Sequence, residues 1–393
     1  MFVRVLPDQA AGKMLDYRVP EAMTDKIGVG SRVRIPVRTR ILPGTVIELL
    51  EECDFSGVKE VAGLLDERPM IRPAMLDLAY WMADYYCCPL ETAVCSVLPV
   101  AVLDGRVSAK KQNTARLARE INESDLEKIA IRAPRQADAL RVLIEAGKPL
   151  AVSKAANLAG VTESVFRTLE KNGLVIIESA VVARNPHSEQ YVAGAELTLN
   201  SEQEEAMRAV VEEMANPTRP ILLFGVTGSG KTEIYLRAIR HALDAGKTAL
   251  VLVPEIALTP QTVERFKSRF ADIQDRIAVL HSHLSDGERH DEWHKIHTGH
   301  ARVVIGARSS IFAPVENPGV IIVDEEHESS YKQDEAPRYN ARDMAVLRAN
   351  REKAAVILGS AVVGERDAAI ATLANMPAGL ADHRGRESAS VQK

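Results

Sequence analysis

Gly225-Val226-Thr227-Gly228-Ser229-Gly230-Lys231-Thr232 matches the phosphate-loop pattern G-x-x-x-x-G-K-[ST] at every fixed position. Gly225, Gly228 and Gly230, with Ser229 between them, let the backbone curl so that successive N–H groups point inward at phosphate oxygens. Lys231 is placed to reach the β- and γ-phosphates, and the Thr232 hydroxyl to take a position on Mg²⁺. Upstream, the apolar run Pro220–Phe224 predicts a buried strand. Downstream, Glu233–Ala242 predicts a helix whose N-terminal dipole faces the phosphates. A plain Gly/Ser turn would need none of this register. The stretch implies that the chain binds a nucleoside triphosphate.

Outward from the loop, residues 196–375 alternate apolar strand runs with helical patterns: Pro220–Gly225, Thr248–Val253, Ile277–His281, Val303–Gly306, Val320–Asp324 and Ala355–Gly359. Near-continuous apolar strands separated by helices predict a parallel sheet covered on both faces, an α/β RecA-like lobe. The fifth run ends in Asp324-Glu325-Glu326-His327. An acid at the end of a buried strand beside a phosphate loop holds Mg²⁺, which is the role expected of Asp324. Glu325 then orients or deprotonates the attacking water. The catalytic set is therefore Lys231, Asp324 and Glu325, with Thr232 and Asp324 on the metal.

Residues 1–104 predict a small β-rich domain, from strand patterns at Phe2–Leu6, Met14–Val19, Arg32–Val37 and Gly44–Leu49, followed by a helix over Met75–Tyr86. Arg32, Arg34, Arg38 and Arg40 give it a basic face, which suits nucleic acid and a solvated edge strand equally well. The stripe of Trp81, Tyr85 and Tyr86 reads as core. In residues 105–195, Arg106–Ala118 reads as a polar linker. Helical patterns at Arg135–Ala146, Val152–Ala159 and Thr162–Asn172 then lead to a strand at Leu174–Ile177, the outline of a winged helix. Its second-helix region is weakly basic, so base-specific readout, and with it a transcription regulator, is disfavoured. Residues 376–393 read as a frayed tail.

At 393 residues, 46% hydrophobic and 26% charged, the chain has a globular balance, and its net charge of −5 confines nucleic-acid binding to local patches. The four cysteines, Cys53, Cys87, Cys88 and Cys95, form no C-x-x-C pair, which predicts reduced, buried thiols. No apolar run approaches the roughly 20 residues that span a bilayer, and no signal-peptide pattern opens the chain; a soluble, cytoplasmic protein is expected. The histidines between His281 and His300 do not read as a zinc site, because Asp291 follows His290 where H-E-x-x-H needs a glutamate.

The acids also carry a family resemblance. With Asp324–His327, the segments Leu199–Gln203, Leu252–Gln261, Gly306–Pro314 and Ser329–Asp343 resemble, in order, the Q-motif, motifs Ia and Ib and the aromatic-rich loop of the PriA family (primosomal protein N′), superfamily 2 DNA helicases of replication restart. The likeness covers nearly the whole chain. It implies that Gln203 reads adenine, and that Arg308, Tyr331, Lys332, Arg338, Tyr339 and Arg342 meet DNA, the tyrosines by stacking on unpaired bases and Lys332, Arg338 and Arg342 on phosphates. Leu15-Asp16-Tyr17-Arg18-Val19-Pro20 resembles the family's 3′-end-binding domain, which implies that Asp16 and Tyr17, with Lys59 nearby, line a pocket for a terminal nucleotide. The implied activity is an ATP- and Mg²⁺-dependent 3′-to-5′ helicase that recognises stalled or repaired forks. Its implied partners are forked or single-stranded DNA, primosome proteins and the single-stranded-DNA-binding protein.

Three departures accompany the likeness. Pro36-Val37-Arg38 stands where the family has Pro-Phe-Gly, and Gly359-Ser360-Ala361-Val362-Val363-Gly364 where it has Gly-Ser-Ala-Thr-Pro-Ser. The family's zinc module and second motor lobe, with its arginine finger, are not in this sequence, so no zinc site is expected here. An arginine finger contributes about 10³ to 10⁵ in rate, so weak ATP binding and poor hydrolysis are expected of the lone first lobe. The alternative function is a truncated or degenerate protein that binds fork DNA and ATP without unwinding.

Overall fold

Strand β1 (Phe2–Pro7) lies between β2 (Leu15–Arg18) and β4 (Arg40–Leu50), and β3 (Arg32–Val37) pairs β4 and β5 (Gly63–Leu64), every pairing antiparallel. The computed structural model that shows this describes residues 1–9, 13–53, 57–66, 68–103, 111–119, 121–147, 149–181 and 197–361. The expectations for Val362, Val363 and the 376–393 tail lie outside the described residues. Alternation in β1 and β3 buries Val3, Val5, Val33 and Ile35. Arg34, Arg38 and Arg40 are exposed, but Arg32 is not part of a basic face. It is fully buried, bidentate to Asp8 at 2.7 and 2.6 Å, and donates to Thr45 Oγ1 and to the Leu103 carbonyl. A buried guanidinium needs such a set of acceptors, and this one serves the fold.

Helices α1 (Pro73–Tyr85), α2 (Leu90–Ser96) and α3 (Val100–Leu103) follow. The aromatic stripe is only partly core: Trp81 is 3% exposed, whereas Tyr85, stacked on it at 4.5 Å between ring centroids, is 56% exposed. Of the four free cysteines, Cys87 is exposed and the others are half-buried, so the expected burial holds only in part.

Residues 107–187, with 285–291, cluster as one compact unit, and the remainder of the chain as the other. Within the former, β6 (Lys111–Leu117), α4 (Glu123–Arg132), α5 (Pro134–Ala146), β7 (Leu150–Ala151), α6 (Val152–Ala159), α7 (Glu163–Lys171) and β8 (Val175–Val181) surround a core that includes Leu140, Leu143, Phe166 and Leu169. The expected linker contains a strand instead. Residues Lys111–Leu117 pair antiparallel with β8, in the register Leu117↔Val175.

In the other unit, α8 (Ser201–Ala215), β9 (Ile221–Phe224), α9 (Lys231–Asp244), β10 (Thr248–Leu252), α10 (Pro260–Arg269) and β11 (Ile277–Leu280) precede α11 (Asp286–His297), which crosses the boundary between units. Strands β12 (Val303–Gly306) and β13 (Pro318–Val323), helix α12 (Ala341–Glu352) and β14 (Ala355–Ser360) complete it. The strands form a parallel sheet in the order β11-β12-β10-β13-β14-β9, the RecA-like lobe. Alternation sends Val320 and Ile322 to a core shared with α8, α9 and α10. Ile321 and Val323 go to a core shared with α1, α2 and α12. The β-rich segment's helices thus cover one face of the motor sheet. Among the described residues, no helix is long and apolar enough to cross a membrane.

Candidate ATP and DNA sites

The phosphate loop joins β9 to α9 in the order that the glycines require. Gly228 (φ +84°) and Gly230 (φ +91°) take the left-handed conformation. A Cβ at Gly230 would also strike Gln203 Nε2. Gln203 closes a capping box with Asn200 on α8, and its Nε2 donates to the Ser229 carbonyl at 2.8 Å. Its Oε1 accepts from the Asn200 amide at 3.0 Å. Gln203 therefore braces the loop here, and a base-reading role requires its amide to release Ser229.

Gly228, Gly230, Lys231, Thr232, Asp324 and Glu325 line one cavity of about 540 Å³. Lys231 Nζ donates to the Gly225 carbonyl at 2.6 Å and lies 3.4 Å from Glu325 Oε1. Glu325 itself has φ +45°, a strained conformation for a non-glycine residue. Asp324 Oδ1 accepts from the Tyr235 hydroxyl at 3.0 Å and from the Glu325 amide at 3.1 Å. Burial raises the Asp324 carboxyl above its ordinary range. The Tyr235 bond and Lys231 oppose this shift, and the Glu325 charge adds to it. Glu326 is buried and its amide donates to the Gly359 carbonyl at 2.8 Å; His327 Nδ1 lies 3.3 Å from Ser360 Oγ. The last strand is thus tied to the acids by backbone and side chain alike.

Sequence reasoning missed the wall of the cavity that Leu197, Glu233, Arg265, Ser268 and Arg269 form. Glu233, the residue after the phosphate loop, accepts from Arg237 at 2.9 Å and Arg269 at 2.7 Å, and Arg237 also holds the Leu197 carbonyl. The only signal for it was an acid in the first turn of α9. Tyr235 had no motif to announce it.

The expected DNA contacts divide. Tyr331 is 1% exposed and Tyr339 4%, so neither ring has a face open to a base, which corrects the stacking expectation for this conformation. The Tyr331 hydroxyl instead donates to the Asp324 carbonyl at 2.7 Å. Arg308 Nη1 donates to the Lys332 carbonyl at 2.7 Å and so supports the loop from within. Arg342 is engaged by Glu326 at 3.2 Å and Asp343 at 3.0 Å. Lys332 and Arg338 are exposed, and Lys332 Nζ holds the Arg338 carbonyl at 2.6 Å while lying 5.4 Å over the Tyr86 ring. The Tyr86 hydroxyl accepts from the Asn340 amide at 3.1 Å, which joins the residue that caps the C-terminus of α1 to this loop.

The expected 3′-end pocket is also rearranged. Asp16 and Tyr17 are neighbours on β2, so their side chains leave opposite faces of the sheet. Asp16 is held by Arg4 Nε at 2.9 Å. Tyr17 is buried and its hydroxyl donates to the Pro36 carbonyl at 3.3 Å, while Lys59 Nζ donates to the Arg38 carbonyl at 3.2 Å. Tyr17 and Lys59 therefore converge on the β3–β4 turn, and Asp16 does not. Arg38, which stands where the resemblance has glycine, keeps a glycine-like φ of +53°. Among the described residues, no group of three or more His, Cys, Asp and Glu side chains is placed to hold a metal ion.

Residues 4–99 match the PriA 3′ DNA-binding domain family, and residues 196–363 match the family described as the res subunit of type III restriction enzymes. The replication restart protein PriA of Chlamydia muridarum is 36% identical over 370 residues, which cover 92% of this chain and 49% of that protein. PriA of Bacillus subtilis is 34% identical over 412 residues, covering 88% of this chain and 51% of that protein. For PriA of Haemophilus influenzae the figures are 36% over 370 residues, with 91% and 49% covered. The chain spans about half the length of the curated relatives it matches. With a matching 3′ DNA-binding segment ahead of a RecA-like lobe that carries the phosphate loop and the Asp324–His327 acids, the chain belongs to the PriA family of replication restart proteins.

Proposed function

We propose that this chain is the ATP-binding, DNA-engaging portion of a replication-restart DNA helicase. It acts in the cytoplasm, on forks that present a 3′ end, with 3′-to-5′ polarity. In this reading residues 1–104 engage the 3′ end, 105–195 form a winged helix and 196–375 the first motor lobe. The single-stranded-DNA-binding protein and primosome proteins are its partners. The observation that carries it is the convergence of Lys231, Thr232, Asp324 and Glu325 on one cavity, with Tyr331 of the aromatic-rich loop bonded to Asp324.

Thr232 and Asp324 offer hard oxygen donors on that cavity, which suits magnesium, and these two residues would hold it with the nucleotide. Bound there, magnesium supplies neutralisation of the charge on the phosphate oxygens. Lys231 exchanges the Gly225 carbonyl and Glu325 for the β- and γ-phosphates. Glu325, released from Lys231, orients the attacking water and accepts its proton. Gln203 holds the Ser229 carbonyl, so the loop keeps its curl, or turns to the base once nucleotide enters.

A second reading is a fork-DNA and ATP-binding protein that does not unwind. The ion pair between Lys231 and Glu325 favours it, because the site is closed on itself in this conformation. Steady-state ATP hydrolysis with and without forked DNA separates the two: the motor requires DNA-stimulated turnover. Equal affinity for a fork with a 3′ end at the junction and for plain duplex of matched length would refute fork recognition in both.

A further inference from the structure

Tyr235 lies on α9, one turn after Lys231, with 1% of its surface exposed. Its hydroxyl and the Glu325 amide both donate to Asp324 Oδ1, at 3.0 and 3.1 Å. No hydrogen bond from a described residue reaches Oδ2. Among the described residues, the donors therefore load one oxygen of a carboxylate that lines the nucleotide cavity and leave the other without one. Strand β14 is shaped around this contact. A Cβ at Gly359 would fall on the Tyr235 hydroxyl and come within 3.3 Å of Asp324 Oδ1, so the phenol reaches the acid only because residue 359 has no side chain. A fixed donor on one oxygen restricts rotation of the carboxyl group, and hydrogen bonds to a ligand carboxylate from behind orient it toward its metal.

We propose that Tyr235 is a positioning residue of the ATP site: its hydroxyl fixes the orientation of the Asp324 carboxylate, which would hold magnesium with Thr232, and Gly359 provides the space that permits it. The inference rests on the reading of this lobe as a magnesium–ATP site.

Tyr235→Phe removes the hydroxyl and keeps the ring. The test is binding of a fluorescent ATP analogue to the full chain, titrated with magnesium and repeated in EDTA, with thermal melting of each protein. Loss of a hydrogen bond to a charged group is expected to raise half-saturating magnesium about tenfold. Affinity in EDTA and the melting temperature should stay at parental values. Gly359→Ala should reproduce the magnesium defect with Tyr235 intact, and should add less to Tyr235→Phe than to the parent chain. Unchanged half-saturating magnesium in Tyr235→Phe would overturn the proposal. So would an equal loss of affinity in magnesium and in EDTA, which marks a merely structural residue. A parent chain that binds no magnesium–nucleotide would overturn the ATP-site reading itself, and the proposal with it.

Discussion

The Tyr331 hydroxyl donates to the Asp324 carbonyl oxygen at 2.7 Å, so the aromatic-rich loop is bonded to the backbone of an acid that lines the phosphate-loop cavity. Tyr331 is buried and Asp324 half-buried, and any displacement of the loop by DNA must stretch the bond or carry Asp324 along. Tyr331→Phe keeps the buried ring and removes the link. The ratio of DNA-stimulated to basal ATP turnover is expected to fall about three- to tenfold, the equivalent of one neutral hydrogen bond. Turnover measured at saturating single-stranded DNA and without DNA gives that ratio. An unchanged value would show that coupling does not pass through this hydroxyl.

Lys231 is 9% exposed and neutralises Glu325 across 3.4 Å. Lys231→Ala removes the cation proposed to meet the phosphates and takes from Glu325 the nearer of its two basic neighbours. Nucleotide binding, followed by fluorescence of a labelled ATP analogue, is expected to disappear. Fork affinity, followed by anisotropy of labelled DNA, is expected to persist. Loss of both would mean that nucleotide and DNA binding are not separable in this chain.

His297 ties the β-rich segment to the motor lobe through a 2.8 Å contact between Nε2 and the Pro69 carbonyl. Arg72 adds bonds to Glu316 at 3.0 Å and to the His297 carbonyl at 3.1 Å. Burial lowers the His297 pKa below its ordinary value; Arg72 and Arg68 push the same way, and the Pro69 bond and Glu316 oppose them. The sign follows from linkage. The unfolded histidine takes up its proton at higher pH than the folded one, so the neutral ring's contribution is complete above about pH 6.5 and is lost as pH falls below it. The melting temperature should therefore drop between pH 7.5 and 5.5, and by less in His297→Gln. Identical pH profiles for the two proteins would refute this role.

The phosphate loop, the acids and the motor strands were legible in the sequence because each depends on a run of neighbouring residues. Val320–Val323 is buried on both faces, and its composition says so directly. Contacts that link distant segments were not legible. Lys111–Leu117 is polar enough to read as a linker, and only its pairing with β8 makes it a strand. Tyr331 and Tyr339 have the composition of a stacking surface, yet the Asp324 carbonyl holds the one and the Phe312 ring packs at 5.0 Å against the other. Tyr235 reaches Asp324 across 89 positions, and the vacancy that admits it belongs to Gly359 on a third segment.

Asp16 and Tyr17 show the same limit at the 3′ DNA-binding segment, and there it changes what mutations should do. Tyr17 is 4% exposed, with its hydroxyl on the Pro36 carbonyl, so its ring is structural. Tyr17→Ala is expected to cost about 3–5 kcal/mol of stability by opening a cavity, and to lose DNA binding only through unfolding. Tyr17→Phe, which gives up a single hydrogen bond, should keep the preference for forks with a 3′ end. Lys59 is exposed beside the same turn, its ammonium 3.2 Å from the Arg38 carbonyl. Lys59→Ala should weaken binding of every DNA tested, leave the melting temperature unchanged, and reduce the slope of log affinity against log salt by about 1. Anisotropy titrations at three or more salt concentrations, paired with thermal melts, separate these outcomes. A Tyr17→Phe protein that melts like the parent but no longer distinguishes 3′-ended forks would place the Tyr17 hydroxyl in the recognition step.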